Sequence, residues 1–170
     1  MHDVYIEILV HTIKEQYVTE KNFLESVLNI SEDTWENWKL GNFSLPGEQT
    51  QKIKNLFTDY EWMLVQKILR QTIIFPEKRN SAVNDYRQMK TRIAQKWLNS
   101  DLATVSVKQR EETHNAQMIE LVVIMDYEMW GFDDILTFTL PARIQQQIEN
   151  EQVALLDWVN ENLEETYLED

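Results

Sequence analysis

The chain has 170 residues, a net charge of −13 and a hydrophobic fraction of 43%, so it can bury a core and is too apolar for a disordered protein. It contains no cysteine, which excludes disulfides, thiolate nucleophiles and cysteine-based zinc sites. Its three glycines and three prolines allow few tight turns, which favours helices joined by a handful of loops over a sheet with many hairpins.

The sequence shows neither a signal-peptide pattern nor an apolar run long enough to span a membrane. The N-terminus, Met1-His2-Asp3-Val4-Tyr5, lacks the basic and long apolar stretches of a signal peptide. The longest apolar run, residues 121–125, is too short to cross a bilayer. We therefore predict a cytoplasmic protein that has no membrane partner.

Charge is distributed unevenly along the chain. Residues 1–60 hold five Lys and Arg against ten Asp and Glu, residues 61–110 hold ten against four, and residues 111–170 hold one against fifteen. Two interpretations stay open. The basic middle either packs beside the acidic end, or it forms an electropositive surface that follows phosphates. The basic side chains concerned are Lys78, Arg79, Arg87, Lys90, Arg92 and Lys96.

Apolar residues at helical spacing predict the first elements of the chain. A first helix covers residues 4–16. Thr19 is suited to cap a short second helix, and Ser31 to cap a third, because their hydroxyls can accept from free backbone N–H groups. The third helix has acids in its first turn, where the helix dipole favours them, and it stops at Gly41.

Further helices follow along the chain. The fourth carries Ile53, Leu56 and Phe57, and two longer ones cover residues 60–75 and 81–98. Pro76 ends the first of these two. Residues 102–107 are the one place where an extended piece is expected.

The remaining sequence is also predicted to be helical. Residues 109–130 form a helix whose second half, residues 118–129, is apolar almost all round and therefore central in the core. Gly131 ends that helix, residues 132–140 are irregular or a short helix, and Pro141 begins a last helix over 142–166. If the Met and aromatic side chains near residue 130 are exposed together instead, they mark a surface for a partner.

One set of residues in the second and third helices carries a family resemblance: Ser31, Thr34, Trp35, Trp38, Gly41 and Pro46. Their order resembles the recognition-helix region of the lambda-repressor-like (XRE-type) helix-turn-helix family, over about residues 4–60. Independently of the resemblance, Trp35 and Trp38 share one helix face and can fix the third helix onto the first two. We expect an all-α protein with a helix-turn-helix domain at residues 1–60 and a packed helical domain at 61–170.

The resemblance implies a transcriptional regulator that dimerises through its C-terminal domain. In a DNA-binding member the start of the third helix enters the major groove. Residues expected at the bases are Glu32, Asp33, Thr34, Glu36, Asn37 and Lys39, of which Asn37 can read adenine. Residues expected at the phosphates are Lys21, Lys52 and Lys54.

The same segment departs from the family pattern. Leu28-Asn29 stands where a small residue is usual, and the interval from Gly41 to Pro46 is one residue longer. Three acids on the reading helix also oppose the phosphate backbone, whose attraction to Lys and Arg supplies most non-specific affinity. An alternative therefore stays open: a protein-interaction module that kept the fold, lost DNA binding, and docks a basic protein through its acidic C-terminal third.

No residue pattern indicates catalysis, a cofactor or a metal. Glu111 and His114 form a single Glu-x-x-His, whereas di-iron helical bundles need two copies and further carboxylates. A cluster of four acids at 126–134 has no Lys, Arg or His nearby in sequence. Phosphate-binding glycine loops and nucleophile elbows are lacking, so the chain is predicted not to be an enzyme.

Overall fold

The computed structural model describes residues 2–109 and 118–141. The described residues form six α-helices and three strands. The helices are α1 (His2–Tyr17), α2 (Glu20–Phe23), α3 (Glu32–Lys39), α4 (Gly47–Lys54), α5 (Asp59–Ile74) and α6 (Ala82–Asn99). A π-helical turn, Leu24–Leu28, extends α2, and a 3-10 helix, Pro76–Ser81, joins α5 to α6. The strands are β1 (Ala103–Gln109), β2 (Met118–Met129) and β3 (Phe132–Pro141).

The prediction of an all-α protein is wrong, because the three strands form an antiparallel sheet in the order β1-β2-β3. The predicted helix over 109–130 is strand β2 where the structure describes it, and the segment 132–140 is strand β3. Residues 121–124, Leu-Val-Val-Ile, are rich in β-branched side chains, which fit a pleated surface better than a helix. The extended piece expected at 102–107 is confirmed, as β1.

A second signal for the sheet lies in β3, where polar and apolar residues alternate. Leu136, Phe138 and Leu140 are buried, whereas the intervening Thr137 and Thr139 are partly exposed. This period of two is the mark of a strand that buries one face. Gly131, with φ of +79°, makes the turn that pairs β2 with β3, so one glycine is enough for the hairpin.

Two further sequence predictions lie outside the described residues. These are the last helix over 142–166 and the Glu111-x-x-His114 motif.

The predicted starts of the second and third helices, and the end of the third, are confirmed by their caps. The hydroxyls of Thr19 and Ser31 accept from the backbone N–H groups of Asn22 and Thr34, at 3.1 and 3.2 Å. Gly41 follows α3 with φ of +80°, a conformation that glycine adopts without strain.

The buried apolar residues of the helices and of the sheet form one cluster, which runs from Val4 to Leu140. The cluster crosses the predicted boundary at residue 60. Polar contacts cross it as well, since Thr58 donates to the Ile135 carbonyl of β3 and Arg87 of α6 pairs with Glu15 of α1. The sheet is therefore held against the start of α5, close to the N-terminal helices. None of the helices described in the structure has the length and apolar content needed to cross a membrane.

Glu61 of α5 is the most buried carboxylate at this junction, with 1% of its surface exposed. Its side chain accepts from the Thr58 N–H at 2.8 Å, which completes a capping box at the start of α5. It also accepts from the Thr137 N–H of β3 at 3.0 Å and forms an ion pair with Lys90 of α6 at 2.9 Å. One carboxylate thus connects two helices and the sheet.

Candidate nucleic-acid interface

The segment whose sequence resembles a helix-turn-helix consists of α2 with its π-helical turn, a short connection, and α3. Asn29 makes the connection possible because it adopts the left-handed conformation, with φ of 53°, which asparagine tolerates better than most residues. This is the position where the family usually has a small residue. Ser31 then caps α3.

Trp35 anchors α3 to the helices beneath it. Its side chain is 1% exposed, its ring stacks on Trp38 at 5.0 Å between centroids, and it meets Phe23 of α2 edge-on at 6.2 Å. Both indoles lie on the inner side of α3, as the i, i+3 spacing predicts. Most of the side chains named as base-contacting candidates therefore lie on the outer face, and Lys39 is the exception.

That outer face is acidic. Glu32, Asp33 and Glu36 are exposed, and Thr34 is half-buried with its hydroxyl against that of Ser31. Asn37 is exposed, but its amide already donates to the Asp33 carbonyl at 2.9 Å. The predicted base-reading residues therefore come together on one surface, where they present three carboxylates and one partly engaged amide.

Lys39, the one cation of α3, points back toward the protein. Its ammonium lies 2.8 Å from Glu20 of α2 and 2.9 Å from Glu36, and only 15% of its side chain is exposed. The same Glu20 carboxylate accepts from the Trp35 indole at 2.9 Å. Lys39 thus stabilises the packing of α3 on α2 rather than pointing at a ligand.

The other predicted phosphate contacts have partners of their own. Lys52 pairs with Glu48 at 3.2 Å, and Lys54 lies over the Trp62 ring at 5.9 Å. Lys21 meets Glu25 at 4.0 Å on the surface, which is a weak contact between exposed groups. Each lysine assigned to DNA is balanced by a carboxylate or by an aromatic face.

The basic middle of the chain divides into a buried and an exposed part. Arg87 and Lys90 are buried, and they pair with Glu15 at 3.0 Å and with Glu61 at 2.9 Å. These two side chains therefore cannot contact phosphates, which was one of the two interpretations left open by the sequence. Exposed basic side chains remain on α6 at Arg92 and Lys96.

The pKa of the Glu20 carboxyl shows how the α2–α3 contact depends on charge. Burial opposes ionisation of this carboxyl, but hydrogen bonds from Lys39 and Trp35 outweigh it and lower its pKa below the ordinary 4.5. For Lys39, burial again opposes the charged form, while hydrogen bonds to Glu20 and Glu36 raise the pKa above 10.5. Both groups therefore favour their charged forms in the folded protein.

We expect the stability that the Glu20–Lys39 contact contributes to be lost in acid. A carboxyl with a lowered folded pKa stabilises the fold above its ordinary pKa, and this contribution is lost as the pH falls through 4.5 and below. The Lys39 contribution is complete below 10.5 and is lost only as the pH rises above it. Urea unfolding between neutral pH and acid should show a smaller loss of stability in Glu20→Gln than in the wild type.

The matched control for that measurement is Glu25→Gln, since Glu25 lies on the next turn but is 61% exposed. This variant should keep the wild-type pH dependence. An unchanged acid slope in Glu20→Gln would contradict the role assigned to the pair.

A cleft of about 300 Å³ lies between the N-terminal helices and the sheet. Its charged lining residues are Lys52, Glu61 and Glu120. Glu61 is committed to Lys90, Thr58 and Thr137, and Lys52 is paired with Glu48. Among the described contacts, Glu120 is thus the one carboxylate of this cleft with no ion pair or hydrogen bond that holds the fold together. No group of three metal-ligating side chains occurs in the described ranges.

Comparison of the chain with protein-family models, with curated proteins and with solved structures finds no match.

Proposed function

We propose that this protein is a non-enzymatic interaction module, descended from a helix-turn-helix protein, that does not read DNA through α3. The main evidence for this proposal is the negative charge of the outer face of α3. Its three exposed acids face the position that DNA would occupy, and its one lysine is held by Glu20 and Glu36. Phosphate attraction supplies most non-specific affinity for DNA, so a face of this sign repels a duplex.

A second observation supports a protein partner. The turn between β2 and β3 exposes several large apolar side chains together, where a monomer normally exposes such residues singly. This is the arrangement that the sequence interpretation named as the mark of a partner surface. We further propose that the protein acts in the cytoplasm as a homo-oligomer.

The competing candidate is a transcriptional regulator that reads DNA through α3. It is favoured by the spacing of Ser31, Thr34 and Trp35 and by the exposure of Asn37. In that case Asn37 would contact adenine, and Lys21, whose side chain is 66% exposed, would contact a phosphate.

Selection from a randomised duplex library at low salt separates the two candidates. We expect the purified wild-type protein to retain no duplex. Enrichment of a sequence motif that is lost in Asn37→Ala, but kept in Asn42→Ala outside α3, would overturn the proposal and establish the regulator.

A further inference from the structure

The β2–β3 turn carries four large side chains that point into solvent, and we call them the aromatic tip. Their exposed fractions are 50% for Tyr127, 63% for Met129, 98% for Trp130 and 62% for Phe132. Aromatic residues and Met are enriched where proteins bind one another, and Trp and Tyr are frequent among the residues that dominate binding energy. The aromatic tip therefore has the composition of a docking element.

Two hydrogen bonds stabilise the conformation of the tip. The Asp126 carboxylate accepts from the Glu128 N–H at 2.8 Å, and the Tyr127 hydroxyl donates to Asp134 across the hairpin. Glu128 and Gly131 take positive φ angles of 57° and 79°. A loop that is already ordered loses less conformational entropy when it binds.

The charge around the tip indicates what it can bind. Asp126, Glu128 and Asp133 are exposed beside the apolar side chains. A surface that combines aromatic residues with carboxylates fits an apolar groove with a basic rim, and it is repelled by an acidic one.

This chain itself presents such a groove, on the helices α5 and α6. The groove has a volume of about 370 Å³, and we call it the α5–α6 groove. Ile68 and Met89 supply its apolar walls, and Lys67, Lys78 and Arg92 its basic rim. The remaining lining residues are Gln71, Asp85 and Gln88.

The cations of the groove are largely uncompensated. Lys67 and Arg92 are exposed, and neither forms an ion pair with a carboxylate in the described part of the chain. Lys78 is 3.9 Å from Asp85, at the outer limit of an ion pair. Three cations and one acid thus face a ligand, which complements the acids of the aromatic tip.

The tip and the groove lie toward opposite ends of α5. Thr58, at the start of α5, donates to the carbonyl of Ile135 next to the tip. Burial and the nearby negative charge of Asp134 raise the pKa of the Tyr60 hydroxyl, so β3 also lies close to this residue of α5. Ile68 lies ten residues along the helix, which corresponds to a rise of about 15 Å. Because β3 is fixed to the start of α5, the tip cannot turn back to fill its own groove.

We propose that the aromatic tip of one copy docks into the α5–α6 groove of a second copy. The contact joins two different surfaces, so it is heterologous, and it extends to further copies unless the geometry closes a ring. This inference rests on the proposed function and deepens it, because it names the partner and both halves of the interface.

Sedimentation velocity over a range of concentrations, at low salt, tests the proposal. The wild type should form species larger than a monomer in proportion to concentration. Trp130→Ala removes the centre of the tip, and Lys67→Glu/Arg92→Glu reverses the rim of the groove. Each change should weaken association at least tenfold, which corresponds to about 1.4 kcal/mol.

Mixing the two variants gives the sharpest outcome. Trp130→Ala keeps an intact groove, and the rim variant keeps an intact tip. At a concentration where each variant alone is monomeric, a one-to-one mixture should therefore form a two-copy complex that does not grow further. Lys96→Glu is the matched control for the rim, because Lys96 is an exposed cation of α6 outside the groove. This control should associate like the wild type.

Other results overturn the proposal. They are a wild type that stays monomeric at all concentrations, a Trp130→Ala variant that associates like the wild type, or a mixture that forms no complex. The duplex selection described above reports separately on the proposed function. A monomer that retains no DNA contradicts the self-association and leaves the absence of DNA reading standing, whereas an associating protein that enriches a DNA motif through Asn37 contradicts the absence of DNA reading and leaves the self-association standing.

Discussion

Replacing Lys90 with Met is expected to lower the free energy of unfolding by about 3 to 5 kcal/mol. Lys90 is 5% exposed, and its ammonium pairs with the buried Glu61 at 2.9 Å and lies over the Phe138 ring at 4.7 Å. Methionine fills a similar volume but leaves the Glu61 carboxylate without its countercharge. Urea unfolding followed by circular dichroism measures the change.

Two further variants show whether charge is the cause. Lys96→Met is the matched control, since Lys96 is an exposed cation on the same helix and lies outside the α5–α6 groove, and it should change stability by no more than about 0.5 kcal/mol. Adding Glu61→Gln to Lys90→Met removes both charges and should recover part of the loss. A Lys90→Met protein as stable as Lys96→Met would contradict the structural role of the ion pair.

Trp35→Ala is expected to cost about 3 to 5 kcal/mol through the cavity that it leaves between α2 and α3. The indole is 1% exposed, stacks on Trp38 and donates to Glu20. Its matched control is Trp130→Ala, because Trp130 is 98% exposed and should be neutral to unfolding of the monomer.

Trp35→Phe separates packing from hydrogen bonding at the same site. It keeps an aromatic ring but loses the N–H that reaches Glu20, so we expect an intermediate loss of about 1 to 3 kcal/mol. Thermal unfolding of the four proteins compares them under one condition. A Trp35→Ala protein that melts with Trp130→Ala would show that α3 is not anchored through this residue.

The N-terminal hundred residues were predictable because their signals are local. Thr19 and Ser31 cap helices, Gly41 ends one, and Trp35 with Trp38 marks the inner face of α3. Each of these signals acts within one or two helical turns. The sequence alone therefore places the helices and their buried faces here.

The sheet was not predicted because the scarcity of glycine and the length of the apolar run both favoured helices. The scarcity of glycine counted against hairpins, yet Gly131 alone serves the β2–β3 turn. A long apolar run fits a buried helix or a buried strand, and its β-branched residues should have decided between them. The strict alternation from Leu136 to Leu140 was the clearest strand signal in the chain.

The sequence predicts where the residues of the candidate site lie, but it does not predict which of their charges are paired. The sequence brings Asp33, Glu36 and Asn37 together on one helix face. It does not show that Lys39 turns inward to Glu20, nineteen positions earlier in the chain, or that Arg87 and Lys90 are buried against Glu15 and Glu61. Such pairings depend on tertiary packing, which no local pattern encodes.

The most direct measurement of the central claim compares duplex binding by the wild type and by Glu32→Lys/Asp33→Lys/Glu36→Lys. Fluorescence anisotropy of one labelled duplex, titrated at several salt concentrations, serves both proteins. We expect no binding by the wild type, and binding by the variant that weakens steeply as salt rises, because only the variant offers cations to phosphates. Salt-dependent binding by the wild type, as tight as that of the variant, would contradict the claim that the acidic face of α3 prevents recognition of DNA.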